Sequence, residues 1–139
     1  MRKEVYDAVL AEAGTVLSGI TGAPTLREPN DASGLPSDRS MFIQLQFPRS
    51  NARQVSAGSP GNNVMREEGA FRFLICAPNS TGLADALEIA EALEDAFNHH
   101  EFDGVRCWTP MSPVLDDRGV DGGWYKVGVT VPYYFDWFA

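Results

Sequence analysis

Residues 69–77 read GAFRFLICA. In an extended chain Phe71, Phe73 and Ile75 fall on one side and Arg72, Leu74 and Cys76 on the other, because strand side chains alternate faces. Strand character reaches back to Val64, so 64–77 is read as one strand. Upstream, residues 41–47 read MFIQLQF. Met41, Ile43, Leu45 and Phe47 share one face, Phe42, Gln44 and Gln46 the other, and Pro48 ends the segment. Between these strands lies RSNARQVSAGSPGNN, residues 49–63. Its Gly, Ser, Asn and Pro content reads as a mobile excursion joining two antiparallel strands.

Downstream, VRCWT (105–109) is read as a short strand, broken by Pro110 and Pro113. DDRGVDGG (116–123) is a tight-turn signal. Residues 124–135 form the last strand. Tyr125, Val127, Val129, Val131, Tyr133 and Phe135 share one face, and Trp124, Lys126, Gly128, Thr130 and Pro132 the other. Gly128 marks a possible bulge, and Pro132 points to an edge or terminal position.

Two helices complete the pattern. Val5, Val9, Ala13, Val16, Leu17 and Ile20 recur in steps of three and four, which predicts a helix over about 1–20. Gly14 weakens it by about 1 kcal/mol, and Gly19 and Gly22 offer its stop. Leu83, Leu87, Ala90, Leu93 and Phe97 trace the second helix, with Ser80 or Thr81 as its cap and Asp85 in its first turn. Its outer side carries Asp85, Glu88, Glu91, Glu94 and Asp95, and no Lys or Arg stands between Asp85 and Phe97. Residues 21–40, with Pro24, Pro29 and Pro36, are read as a long loop. The order helix, strand, strand, helix, strand, strand predicts a single α+β domain over 1–139: an antiparallel four-stranded sheet with two helices on one face, plus long loops or arms.

The chain has 139 residues, 44% of them hydrophobic, and a formal charge of −8. That length and balance suit one domain with its own core. The acidity argues against general nucleic-acid binding and against an anionic membrane surface. No apolar run approaches the ~20 residues of a membrane helix. Glu4, Asp7 and Glu12 interrupt the first segment, which is not expected to be a secretion signal. Cys76 and Cys107 form no CxxC pair and are expected to be buried, reduced thiols.

Chemistry is sparse. The only histidines are the adjacent His99 and His100. The run HHEFD offers His99, His100, Glu101 and Asp103 as loosely spaced metal ligands, or simply a solvated helix end. Asp116, Asp117 and Asp121 lack the spacing and closing Glu of a calcium loop. No phosphate loop or nucleophile elbow is present. No catalytic, cofactor or metal residue is therefore assigned. The alternative of another class, a small metal-binding enzyme domain, would use Cys107, His99, His100 and Asp103.

The succession VYDAVLAEAGTVL, MFIQLQF, GAFRFLICA, GLADALEIAEALEDAF, FDGVRCWTP and a closing strand ending in aromatics resembles the tail-terminator proteins of long-tailed phages, the minor tail protein U-like, tail-tube-capping family. The similarity is one of pattern and order and spans nearly the whole chain. It implies an α+β protomer in a hexameric ring on the head-proximal end of the tail tube. Such a ring stops tube polymerisation and meets a head-completion or stopper protein. It places the chain in the virion neck after assembly in the host cytoplasm, with no enzymatic activity and no cofactor; another neck or tail-tube component is the neighbouring alternative. Six copies at −8 each would carry −48, a wall that DNA slides past without specific binding. Asp85, Glu88, Glu91, Glu94 and Asp95 are the candidate lumen face, or equally a solvated helix face. Arg49, Arg53, Asn62 and Asn63 are the candidate arm toward a neighbouring subunit or the tube.

Overall fold

In the computed structural model, residues 1–31, 36, 40–78, 83–121 and 124–139 are described. Helix α1 runs over Lys3–Ser18 and α2 over Ala84–Phe97. The strands are β1 (Thr25–Arg27), β2 (Phe42–Gln54), β3 (Val64–Pro78), β4 (Glu101–Phe102), β5 (Val105–Cys107), β6 (Val114–Asp121) and β7 (Trp124–Phe138). The sheet order is β1-β2-β3-β7-β5-β4, with β6 also paired to β7. It curls into a half-barrel that holds the two helices.

This corrects the expected four-stranded antiparallel sheet. The described sheet has seven strands, and it is mixed because β1 pairs parallel to β2. Each unforeseen strand has a physical reason. β1 is three residues between Pro24 and Pro29, too short to display a period. β4 and β5 close a hairpin through Asp103 and Gly104, both at positive φ (46° and 82°), as a two-residue turn between right-twisted strands requires. β6 occupies residues read as a turn, because Val114–Asp116 pair with Lys126–Gly128. β2 also runs on through the first six residues of the supposed excursion, to Gln54, while β3 starts at Val64 as expected, which reduces the connection to residues 55–63.

The period-two reading of the long strands places the core correctly. Ile43 and Leu45 of β2, Phe71, Phe73 and Ile75 of β3, and Val127, Val129, Val131, Tyr133 and Phe135 of β7 are all buried in one cluster. Val5, Val9, Ala13 and Leu17 of α1 join that cluster, as do Ala86, Ile89, Ala90, Leu93 and Phe97 of α2. Both helices therefore cover the same sheet face. Phe97 is the hinge of this packing, edge-on to Phe71 at 5.4 Å and 5.3 Å from the Phe73 ring. On the opposite face a small second cluster joins Phe42, Cys76 and Trp124.

Two local expectations shift. Register runs unbroken past Gly128; the bulge lies instead in β2 between Gln46 and Arg49, beside Pro48. Pro132 sits in a central strand, yet opposite Trp108, whose N–H donates to the Pro132 carbonyl at 2.9 Å. In a strand the N and C=O of one residue point the same way, so the missing N–H faces the gap between β5 and β6. The cap expected from Ser80 or Thr81 lies outside the described residues.

Candidate functional site

The sheet has a helix-covered face and an outer face. Alternation assigns Arg49 and Arg53 of β2, Arg66 and Arg72 of β3, Lys126 of β7 and Arg106 of β5 to the outer one. Arg66 holds Asp136 in a fork, Nε to Oδ1 at 2.7 Å and Nη2 to Oδ2 at 2.9 Å. That fork holds the Asp136 carboxyl below its ordinary range and pushes the Arg66 guanidinium up. The Tyr134 ring lies under two guanidinium groups, Arg66 at 4.6 Å and Arg106 at 5.6 Å, and packs beside Trp108 at 5.1 Å. Arg53 pairs with Glu68 at 3.0 Å, Arg106 with Glu101 at 3.4 Å, and Arg72 donates to Gln46.

Two grooves mark this face. One, of 360 Å³, is lined by Arg72, Leu74, Val114, Leu115, Lys126, Gly128 and Thr130. The other, of 260 Å³, is lined by Pro48, Arg49, Ala70, Met111, Thr130 and Pro132. They meet at Thr130. Trp108, Met111 and Val114 stand 51%, 61% and 65% exposed around them. Exposed apolar side chains gathered beside arginines are an interaction signature rather than a core.

The arm residues sit where β2 and β3 project beyond the helices. Arg49 and Arg53 are exposed on β2, whose edge beyond Gln44 carries no described partner strand. Asn62 and Asn63 fall in the connection. Asn63 exchanges two 2.9 Å backbone hydrogen bonds with Ala139, and its Oδ1 accepts from the Ser59 N–H at 3.1 Å. The acidic residues lie apart from this, on α2. Asp85, Glu88, Glu91 and Asp95 are exposed and Glu94 is half-buried. Among the described residues, none of the five meets a cation.

The candidate metal ligands are separated. His100 Nε2 lies 2.8 Å from Glu12 Oε1, whereas His99 Nε2 lies 3.0 Å from Thr109 Oγ1. Asp103 is at the β4–β5 turn. Cys107 is buried in the core, where burial and then the charge of Glu12 push its thiol to about 12. Cys76 is buried too and its thiol is also raised. Among the described residues, no three His, Cys, Asp or Glu side chains are gathered to hold a metal ion. The side chains of Asp116, Asp117 and Asp121 lie outside the described set. No described helix is long and apolar enough to cross a membrane.

One buried site escaped the sequence reading. Glu67 is 2% exposed, and its carboxylate accepts from Tyr133 Oη at 2.6 Å and from the Arg2 backbone N–H at 2.8 Å. It thus caps α1 from a strand 65 residues away, where a negative group suits the unpaired N–H groups and the dipole. Burial, then the Glu67 bond, raises the Tyr133 hydroxyl, which stays protonated as the donor. Gly69 opens the space: a Cβ there would lie 2.4 Å from the Arg49 carbonyl and 2.9 Å from Tyr133 Oη. The signal was legible in the alternation, which puts Glu67 on the face of Phe71.

No family model and no curated protein matches the chain. A solved structure at 15% identity matches over 100% of this chain and 98% of its own, with a TM-score of 0.67. A likeness at that identity carries the fold alone.

Proposed function

We propose that this chain is a structural ring protein of a phage tail, resembling the tail terminators. Six copies cap the head-proximal end of the tail tube, stop its polymerisation and present a surface to the head-completion or stopper protein. The ring sits at the virion neck after assembly in the host cytoplasm and has no enzymatic role. The observation that carries this reading is the order of segments from VYDAVLAEAGTVL to the aromatic closing strand, which spans nearly the whole chain.

One feature of the fold supports it. The projecting β2–β3 ribbon, with Arg49 and Arg53 exposed on its edge strand, suits contact with a neighbouring subunit or the tube. Charges on such an edge also discourage unselective strand pairing.

Native mass spectrometry and negative-stain imaging of the purified protein test the reading. A six-copy ring that binds tube ends and arrests tube elongation is the expected result. A strict monomer that binds neither tube nor neck protein would overturn it. Labelling along the whole tube, instead of at its end, would assign the chain to another tail component.

A further inference from the structure

We propose that consecutive copies of this chain dock head to tail, the acidic face of α2 on one copy seated in the groove on the outer sheet face of the next. The proposal rests on the ring reading above and names its subunit contact.

The net charge of −8 hides a separation across the sheet. The outer face carries Arg27, Arg49, Arg53, Arg66, Arg72, Arg106 and Lys126, seven of the eleven Lys and Arg residues. Its described carboxylates, Glu68, Asp136 and Glu101, are already held by Arg53, Arg66 and Arg106. Asp116 stands at the register position opposite Lys126. On the other side of the sheet, α2 presents five carboxylates and no cation. Because the sheet separates these surfaces, they cannot neutralise one another within a protomer. Between copies they are complementary.

The pairing also fixes the symmetry. Basic face on basic face, or acidic on acidic, is repulsive, so a two-fold contact through either surface is disfavoured. A contact between unlike faces is heterologous, and repetition gives a closed ring or an open filament. The dimensions agree. The fourteen residues of α2 span about 21 Å. The outer face from Lys126 to Pro132, along which the two grooves join, spans about 20 Å of strand. Gly128 leaves the larger groove open, and docking would cover Met111 and Val114.

The test uses two full-length charge-reversal variants, Glu88→Lys with Glu91→Lys, and Arg49→Glu with Lys126→Glu, each checked by circular dichroism and thermal unfolding. All four positions lie outside the core cluster. By sedimentation velocity each variant alone is expected to lose self-association by about tenfold or more, two reversed pairs being involved. Mixed, they are expected to reassociate, since the reversed acidic face of one matches the reversed basic face of the other. Gly128→Leu, which fills the groove from the outer face, is expected to weaken assembly with little change in melting temperature. If the wild type forms rings and folded variants form them equally well, this contact is wrong and the ring reading stands. If the wild type is monomeric throughout, both fall. If the wild type, still monomeric, retains duplex DNA that the Arg49→Glu/Lys126→Glu variant does not, the face binds nucleic acid and the proposal is overturned.

Discussion

At the scale of single residues, Glu67 shows how one carboxylate ties three segments together. It joins β3 to β7 through Tyr133 and to the start of α1 through the Arg2 N–H. Glu67→Ala leaves the Tyr133 hydroxyl and the Arg2 N–H without that partner, so a loss of about 1–3 kcal/mol is expected in denaturant unfolding. Glu67→Gln, which keeps an acceptor, should lose less. Gly69→Ala should lose at least as much as Glu67→Ala, because the obstructing Arg49 carbonyl is backbone and cannot swing away. Arg66 and Asp136 give a pH signature. The Asp136 carboxyl is depressed in the folded state, so its contribution is fully present above its unfolded value, near 4. That contribution is lost as pH falls through the lower folded value. Stability measured from pH 6 to pH 2 should therefore fall less steeply in Asp136→Asn than in the wild type, the two curves converging at the acid end.

At the scale of elements, legibility followed the period. The alternation of 69–77 and 124–135 and the helical stripes of α1 and α2 are strong because one face of each is buried in a shared core. The stripe of α2 was slightly misplaced: Leu83 and Leu87 pack at the margin, and Ala86 and Ile89 take the buried positions. What failed was short or exposed. β1 borrows its conformation from the edge of β2, and the far half of β2 is strand only because β3 pairs with it, despite Arg, Ser and Asn side chains. Tertiary pairing overrode composition there. The hairpin of β4 and β5 was readable in principle, since Asp103-Gly104 is a strong two-residue turn signal. A prediction belongs to α1. Gly14 lies within it, and a Cβ there would meet nothing within 4 Å. Gly14→Ala should therefore stabilise the chain by about 0.5–1 kcal/mol, read as a shift in denaturant midpoint with unchanged slope.

At the scale of the whole molecule, the balance of −8 is less informative than its arrangement. The acidic half of that arrangement was legible, because five carboxylates without a cation stand in one helix. The basic half was not. Its arginines are scattered from residue 27 to residue 106, and only the sheet register brings them to one face. An assembly built on this separation should have an optimum in ionic strength. Domains of this length have radii of gyration of about 14 Å, so neighbouring centres lie about 30 Å apart. Two charges of −8 at that distance repel by about 3 kcal/mol when the screening length is 30 Å, at 0.01 M salt. At 0.1 M the screening length is about 10 Å, and the same repulsion falls to about 0.4 kcal/mol. Opposite charges across a docked face, about 4 Å apart, keep roughly two-thirds of their attraction at 0.1 M but only about a quarter at 1 M. Long-range repulsion is thus screened first and short-range attraction later. Self-association followed by light scattering from 0.01 to 1 M sodium chloride should rise, pass a maximum near 0.1 M and fall. A monotonic rise would assign the contact to apolar burial instead, and a monotonic fall would mean that net charge has no say in the assembly.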